Sequence, residues 1–308
     1  ALALSGCGST DETAYRIGIV QQDEHSSLDA ATQGFEDKLM ELLGEENVTF
    51  DYQNAQGEQA NCTTISTKFV SDGCDLIMAN ATTALQTAAA ATSDIPIVGT
   101  SVTDYVTAGV VESNEAPGKN VTGVSDLASV EKQIDVLMQF CDKENTKVAV
   151  VYCSAEPNSQ YQVDTVKAAL EDLGYTCEYY AFSDSNDISS VVTNAVADSD
   201  VIYVPTDNTA ASNTELINNI CLPAKVPVIA GEEGICSGCG VATLSISYYD
   251  LGKATGEMAV KILKDGEDIS TMPIEYAPNF TKEYNADICA ELGIEVPDDY
   301  VAIGADAE

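Results

Sequence analysis

Apolar positions recur with two periods along nearly the whole 308-residue chain. Residues 16–21 form a short β-rich run that reads as a buried strand. From 28 to 43, Leu28, Ala31, Phe35, Leu39, Leu42 and Leu43 follow helical spacing, and Gly44 supplies a stop. A strand is expected at 48–52, a helix at 58–70, a strand at 75–79, an Ala-rich helix at 82–92 and a strand at 96–99. That alternation predicts a parallel, doubly wound α/β sheet. After a loop holding Pro117-Gly118 the pattern restarts, with a helix at 130–141, a strand at 148–152 and a helix at 158–173 before Gly174. Strands follow at 176–182, 201–204 and 226–230, separated by helices near 188–197 and 214–221. The fold class is therefore α/β, with two Rossmann-like lobes built on parallel sheets. The lobes share an architecture but no sequence identity.

The tail breaks this rhythm. An amphipathic helix at 251–263 runs out at Lys261, Lys264 and Gly266, residues suited to a helix C-terminus. An extended segment at 272–277 and a short helix at 288–292 follow. One economical path crosses between lobes three times, near Val121-Thr122, Ala242-Thr243 and Met272-Pro273. The N-terminal lobe then comprises 15–121 plus 243–272, and the C-terminal lobe 122–242 plus 273–308. Three adjacent crossings make a hinge, and a hinge between α/β lobes makes a closable cleft.

Residues 1–14 stand apart from both lobes. Leu4-Ser5-Gly6-Cys7 has the layout of a bacterial lipobox, preceded by apolar residues and followed by the polar stretch 8–13. The expectation is a signal remnant and tether, with lipid on Cys7 holding the protein to the outer face of the cell membrane. The alternative is a chance tetrapeptide in a disordered tail. Beyond Cys7 no apolar stretch approaches the ~20 residues of a membrane-spanning helix. The balance of 13 Lys+Arg against 50 Asp+Glu, a net charge of −37, argues against phosphate-neutralising contact with nucleic acid. Calcium could exploit such acidity, but no Asp-x-Asp-x-Asp-Gly loop is present. Cys74, Cys141, Cys153, Cys177 and Cys221 sit in or beside apolar runs, as small buried hydrophobes do. Cys236 and Cys239 form a lone CxxC without a second pair to complete a zinc site, leaving a local disulfide or two thiols. No metal and no cofactor are expected.

In parallel sheets, ligands bind beyond the C-terminal ends of strands. The loops at those ends supply Glu24, His25 and Ser27, then Thr82 and Thr83, then Ser101, Thr103 and Asp104. The second array supplies Ser154 and Asn158, then Thr206, Asp207 and Asn208, then Glu232 and Glu233. Each loop alone reads as helix capping. Taken together and facing one cleft, they read as a ligand site. The set suits a zwitterion: helix N-terminal amides and hydroxyls for a carboxylate, and Asp207, Glu232 or Asp104 for an ammonium. Arg16 is the sole arginine and opens a buried strand, so a guanidinium clamp is not expected. The absence of Trp removes the usual stacking partner of a pyranose. His25 is the only histidine, and GxSxG, P-loop and GxGxxG patterns are missing, so no catalytic residue is assigned.

At these residues the chain resembles the solute-binding lipoproteins that serve as tryptophan/tyrosine ABC-transport binding components. The resemblance runs from about Tyr15 to Pro297. It is carried by Glu24-His25 with Leu28-Asp29-Ala30, by residues 51–57 (DYQNAQG), 120–126 (NVTGVSD) and 203–209 (YVPTDNT), and by Gly231-Glu232-Glu233-Gly234. Residues 248–252 (YYDLG) and 255–259 (TGEMA) complete it. The resemblance implies a type I periplasmic binding protein fold that acts as a monomer without catalysis. It implies capture of an aromatic amino acid and delivery to an ABC permease driven by its ATPase. Tyr105, where relatives would carry Pro, is a departure expected to border the cleft. A ligand-sensing domain for a signalling receptor is the alternative function.

Overall fold

The computed structural model describes residues 14–141, 146–277 and 279–304. Cys7 and the tether 8–13 lie outside the described residues. In chain order the first array runs β1 (Tyr15–Gln21), α1 (Ser26–Leu43), β2 (Val48–Asn54), α2 (Gln59–Asp72), β3 (Leu76–Asn80), α3 (Thr82–Ala91), β4 (Ile97–Val102) and β5 (Val121–Ser125). The second runs α4 (Val130–Phe140), β6 (Lys147–Cys153), α5 (Pro157–Asp172), β7 (Thr176–Phe182), α6 (Ile188–Asp198) and β8 (Val201–Val204). It continues with α7 (Asn208–Ala211), α8 (Thr214–Ala224), β9 (Val228–Ala230), α9 (Glu233–Cys239) and β10 (Ala242–Ser245). The tail adds α10 (Tyr248–Leu263), β11 (Glu275–Tyr276), β12 (Thr281–Tyr284), α11 (Ala286–Leu292) and β13 (Val301–Ala302).

The strands assemble into two sheets, ordered β11-β5-β4-β3-β1-β2 and β13-β12-β10-β9-β8-β6-β7. All described pairings are parallel except β10 with β12. Central strands are buried on both faces, as β3 and β4 show along their whole length, because helices cover both sides. The two-lobed α/β fold is thus the one the hydrophobic pattern implies.

Sheet membership corrects where the chain crosses. β5 belongs to the first sheet from Val121 through Ser125, and β10 to the second from Ala242 through Ser245. The crossings therefore follow Ser125, follow Ser245, and fall between Tyr276 and Thr281, a few residues later than the sequence suggested. Each expected crossing sat at or just before a strand, β5, β10 or β11, that pairs within its sheet before the chain leaves the lobe.

After the second crossing, α10 returns to the first lobe and packs along α1. Gly34 and Gly252 make that possible: a Cβ on Gly34 would lie 2.0 Å from the Tyr249 carbonyl oxygen, and one on Gly252 1.9 Å from the Ala31 carbonyl oxygen. Tyr105 is a second correction. It is fully buried in the first lobe's core, where its hydroxyl donates to the Val124 carbonyl at 3.1 Å. Its ring fills the space left by Gly99 and Gly123, so it does not border the cleft. All nine described cysteines are free, eight of them buried, and burial raises the thiols of Cys236 and Cys239. Among the described residues no helix is long and apolar enough to cross a membrane.

Candidate functional site

The C-terminal ends of the two sheets face each other across the cleft, so the loops that follow the strands converge from opposite lobes. They enclose a narrow cavity of about 10 Å³ lined by His25, Leu28, Ser101, Thr103, Asp126, Asn158, Thr206, Asp207, Asn208, Ala211, Glu232 and Tyr248. A second cavity, also of about 10 Å³, shares Thr103 and Asn158 with the first and adds Thr82, Asp104, Thr107, Ala108, Pro157 and Tyr161. Both are far smaller than an open small-molecule site, so the lobes must part to admit a solute. No lysine or arginine lines either one.

Four buried polar atoms of the larger cavity have no hydrogen-bond partner: Asp126 Oδ1, Asn158 Oδ1, Ser101 Oγ and His25 Nδ1. Unpaired buried groups of this kind are costly unless something else satisfies them. Asp126 follows β5 and accepts the Tyr248 hydroxyl on its other oxygen at 3.2 Å. Burial pushes its carboxyl up to about 6, against the lowering effect of the Tyr248 and Thr103 hydroxyls. Ser101 sits where the register of β4 on β5 shifts between Gly99 and Val102, with φ at 55°. That bulge turns its hydroxyl into the cavity, at a backbone geometry a serine adopts only under constraint. Ala81, the N-cap of α3, also has positive φ, at 85°, and α3 has no side-chain cap. In its first turn the Thr83 amide donates to Gln22 Oε1 at 3.0 Å, and Thr82 lines the smaller cavity.

On the opposite lobe, the carboxylates are largely occupied by the protein itself. Asp207 accepts the Cys153 amide at 2.6 Å and the Ala210 amide at 2.8 Å, so it caps α7 and ties it to β6. Burial, reinforced by the neighbouring Glu156 carboxylate, raises its pKa. Glu156 in turn accepts the Asn208 and Thr209 amides at 3.1 and 2.9 Å, together with both of their side chains. Glu232 caps α9 through the Gly234 and Ile235 amides and accepts the hydroxyl of Ser27 from the other lobe.

Of the residues singled out in the sequence, His25, Ser101, Thr103, Asn158, Thr206, Asp207, Asn208 and Glu232 line the larger cavity, and Thr82 and Asp104 the smaller. Asp104 spends one oxygen on the Thr107 amide at 2.6 Å. Glu24 and Thr83 lie instead on the outer groove of the cleft, beside Gln22 and Glu156. Ser27 and Glu233 line a separate opening on the hinge side. Ser154 is exposed and bonds the Phe182 carbonyl at 3.1 Å, outside all of these cavities. Asp126 and Tyr248 are not among the residues the sequence singles out, because crossings expected at Val121-Thr122 and Ala242-Thr243 leave no strand end after them. Asp126 nevertheless closes the 120–126 motif, and Tyr248 opens the 248–252 one.

The lobes are drawn together over this space. Besides Ser27 and Glu232, His25 Nε2 lies 3.3 Å from Asn208 Oδ1, Ser212 donates to Asp23 at 2.8 Å and Gln162 reaches Thr103 at 3.4 Å, each pair spanning the cleft. Two α/β lobes closed over a small polar cavity have the arrangement of a solute-binding protein. The chain belongs to the ABC transporter substrate binding protein family, whose model matches residues 16–307. A protein named tyrosine-binding protein from Clostridioides difficile (strain R20291) is 39% identical over 261 residues, covering 84% of this chain and 75% of its own. The crystal structure of an ABC domain in complex with L-Trp from Streptococcus pneumonia shares 34% identity and superposes with a TM-score of 0.88, covering 93% of this chain and 97% of that one. The ligand-free, open structure of a substrate binding protein with adhesive properties from Clostridium difficile shares 39% identity but has a TM-score of 0.71, covering 94% and 99%. The more similar sequence thus superposes less well, as expected when the present lobes are closed and that protein's are open.

Proposed function

We propose that this chain captures one aromatic amino acid between its lobes and hands it, unaltered, to an ABC permease powered by a cytoplasmic ATPase. The observation that carries the reading is the set of unpartnered polar atoms in the interlobe cavity, which forms two chemically distinct ends. Asp126 Oδ1 and Asn158 Oδ1 are acceptors suited to an ammonium group, with Glu232 and Asp207 adding negative field behind them. Ser101 Oγ is a donor suited to a carboxylate, as is the partial positive charge at the N-terminus of α3. The smaller cavity adjoins the polar end and offers Ala108, Pro157 and Tyr161 as a wall for a ligand side chain, which would widen it. The tyrosine-binding and L-Trp-bound relatives support an aromatic amino acid as the ligand. Thr103, Thr206, Asn208 and His25 complete the polar wall.

The protein works outside the cytoplasm, as the family implies, and Cys7 carries the lipid that retains it at the membrane. Calorimetry of the purified protein against tyrosine, tryptophan and phenylalanine tests the ligand class, and recovery of the intact amino acid after dialysis tests the lack of turnover. Heat with a sugar or purine and none with an amino acid would overturn the ligand class while leaving the family intact. A Cys7→Ala protein expressed in cells should leave the membrane fraction. Its retention there would remove the lipid anchor.

A further inference from the structure

The lobes meet where two helices aim their N-termini at one another. The first turn of α1 carries Ser26 and Ser27; the first turn of α9 carries Glu233 and Gly234 after its N-cap, Glu232. Both helix ends bear partial positive charge, and the Glu232 carboxylate lies between them. One oxygen accepts the Ile235 amide at 2.5 Å; the other accepts the Gly234 amide at 2.8 Å and the Ser27 hydroxyl across the cleft.

Gly234 is the unexpected member. Its φ is not in the left-handed region, and a helix interior favours alanine over glycine. Within its own lobe a Cβ here would meet Glu232 Oε1 at 3.2 Å, a contact a small shift can relieve. The opposite lobe is closer: the same Cβ would lie 2.7 Å from Ser26 Oγ and 2.8 Å from Ser27 Oγ. Ser26 is exposed and can turn aside. Ser27 is buried and its hydroxyl is committed to Glu232, so it can yield only by giving up the interlobe bond.

We propose that Ser27, Glu232 and Gly234 form a closure latch, in which Gly234 leaves the space that lets the Ser27 hydroxyl reach Glu232. They act as positioning residues. Ser27 and Gly234 lie outside the solute cavities, yet they set how firmly the lobes shut and hence how tightly and how long a solute is held. The latch rests on reading the cleft as the solute site, but its mechanics are separable from the identity of the solute.

The test uses the whole chain with a reporter pair, Asp23→Cys and Ser212→Cys, at two residues already bonded across the cleft. The rate at which oxidised glutathione joins the two new thiols reads access to the closed state without any solute. Adding Gly234→Ala should slow that trapping at least tenfold. In the chain without the reporter it should raise the dissociation constant for the bound amino acid about tenfold, while the ligand-free melting temperature stays level or rises. Ser27→Ala should weaken binding too, and the double variant Ser27→Ala/Gly234→Ala should be no worse than Gly234→Ala alone, because the colliding atom is also the bonding atom. Unchanged trapping and affinity in Gly234→Ala, additive losses in the double variant, or a lowered ligand-free melting temperature would each overturn the latch. Slowed trapping in a protein that binds no amino acid would uphold the latch and remove the ligand class instead.

Discussion

Asp126 accepts the Tyr248 hydroxyl on one oxygen and leaves Oδ1 without a hydrogen-bond partner, which makes it the most informative side chain in the cleft. Its free oxygen is buried, and the surrounding field is acidic, so the ionised carboxyl is stabilised only when a cation arrives. Asp126→Asn keeps the shape and the Tyr248 contact but removes that charge. The expected outcome is at least a tenfold loss of amino-acid affinity at pH 7.5, about 1.4 kcal/mol. Thermal stability of the ligand-free protein should not fall, because a desolvated charge has been removed. Equal affinity by calorimetry would detach Asp126 from the ligand. Asp207 is one of three carboxylates, with Glu232 and Asp104, that the sequence puts forward for the same task. Its two oxygens hold the Cys153 and Ala210 amides, so Asp207→Ala should act first on the fold. Each buried amide left unpaired costs about 1–3 kcal/mol, and urea unfolding should register that loss even without ligand. A variant of unchanged stability that lost only affinity would return Asp207 to direct ligand contact.

At the scale of elements, the α1–α10 pair links the hinge to the first lobe. α10 starts just after the second crossing with Tyr248, the partner of Asp126, and lies against α1, whose N-cap is His25 and whose first turn carries Ser27. The two helices touch backbone to backbone at Gly34 and Gly252. A methyl at Gly252 would sit 1.9 Å from a carbonyl oxygen, and backbone cannot step aside as a side-chain end can. Gly252→Ala should therefore cost on the order of 3 kcal/mol, the upper range for overpacking, despite alanine's better helix propensity. Chemical denaturation checks this, and a stabilised variant would mean the helices can separate freely. The helices themselves, with Leu28, Ala31, Phe35 and Leu39 on the buried face of α1, were legible from spacing. Their partner was not, since α1 and α10 are more than two hundred residues apart and no local pattern states which faces meet.

At the scale of the molecule, acidity and closure act on one another. Closing the cleft buries Asp126, and Glu283 lies in the hinge-side opening, where burial and the nearby Glu233 and Glu232 push its carboxyl up to about 7. Asp126 rises to about 6 from an ordinary 3.8. Groups raised in this way bind protons more readily folded than unfolded. Their stabilising contribution is complete below the ordinary carboxylate range and is lost as pH rises through 6 to 7. Asp51, Asp268 and Asp299 are shifted the opposite way, but they titrate below that window. The net charge of −37 works in the same direction as Asp126 and Glu283, since protonation relieves repulsion. The ligand-free protein should thus melt at a higher temperature at pH 5 than at pH 8. Amino-acid affinity should run the other way, weakening as pH falls below about 6 and Asp126 takes up a proton. Melting curves and calorimetry across that range check both slopes, and parallel slopes would break the link between Asp126 and the ligand.

The chain's own pattern determined a good deal. Period-two and period-3.6 runs specify strands and helices wherever one face must leave water, so the βα alternation and both lobes could be read directly. The strand-end rule also located most of the polar wall, including Ser101, Asn158 and Asn208, and the short motifs pointed to the binding-protein family. What the tertiary structure alone decided was which polar groups remain unspent. Asp207, Glu156 and Glu232 satisfy backbone amides of their own lobe, whereas Asp126 and Ser101 reach the cavity with atoms to spare. Capping residues and ligand-binding residues are drawn from the same short list of side chains. Only the distances to competing donors, set when strands remote in sequence are brought side by side, tell one from the other.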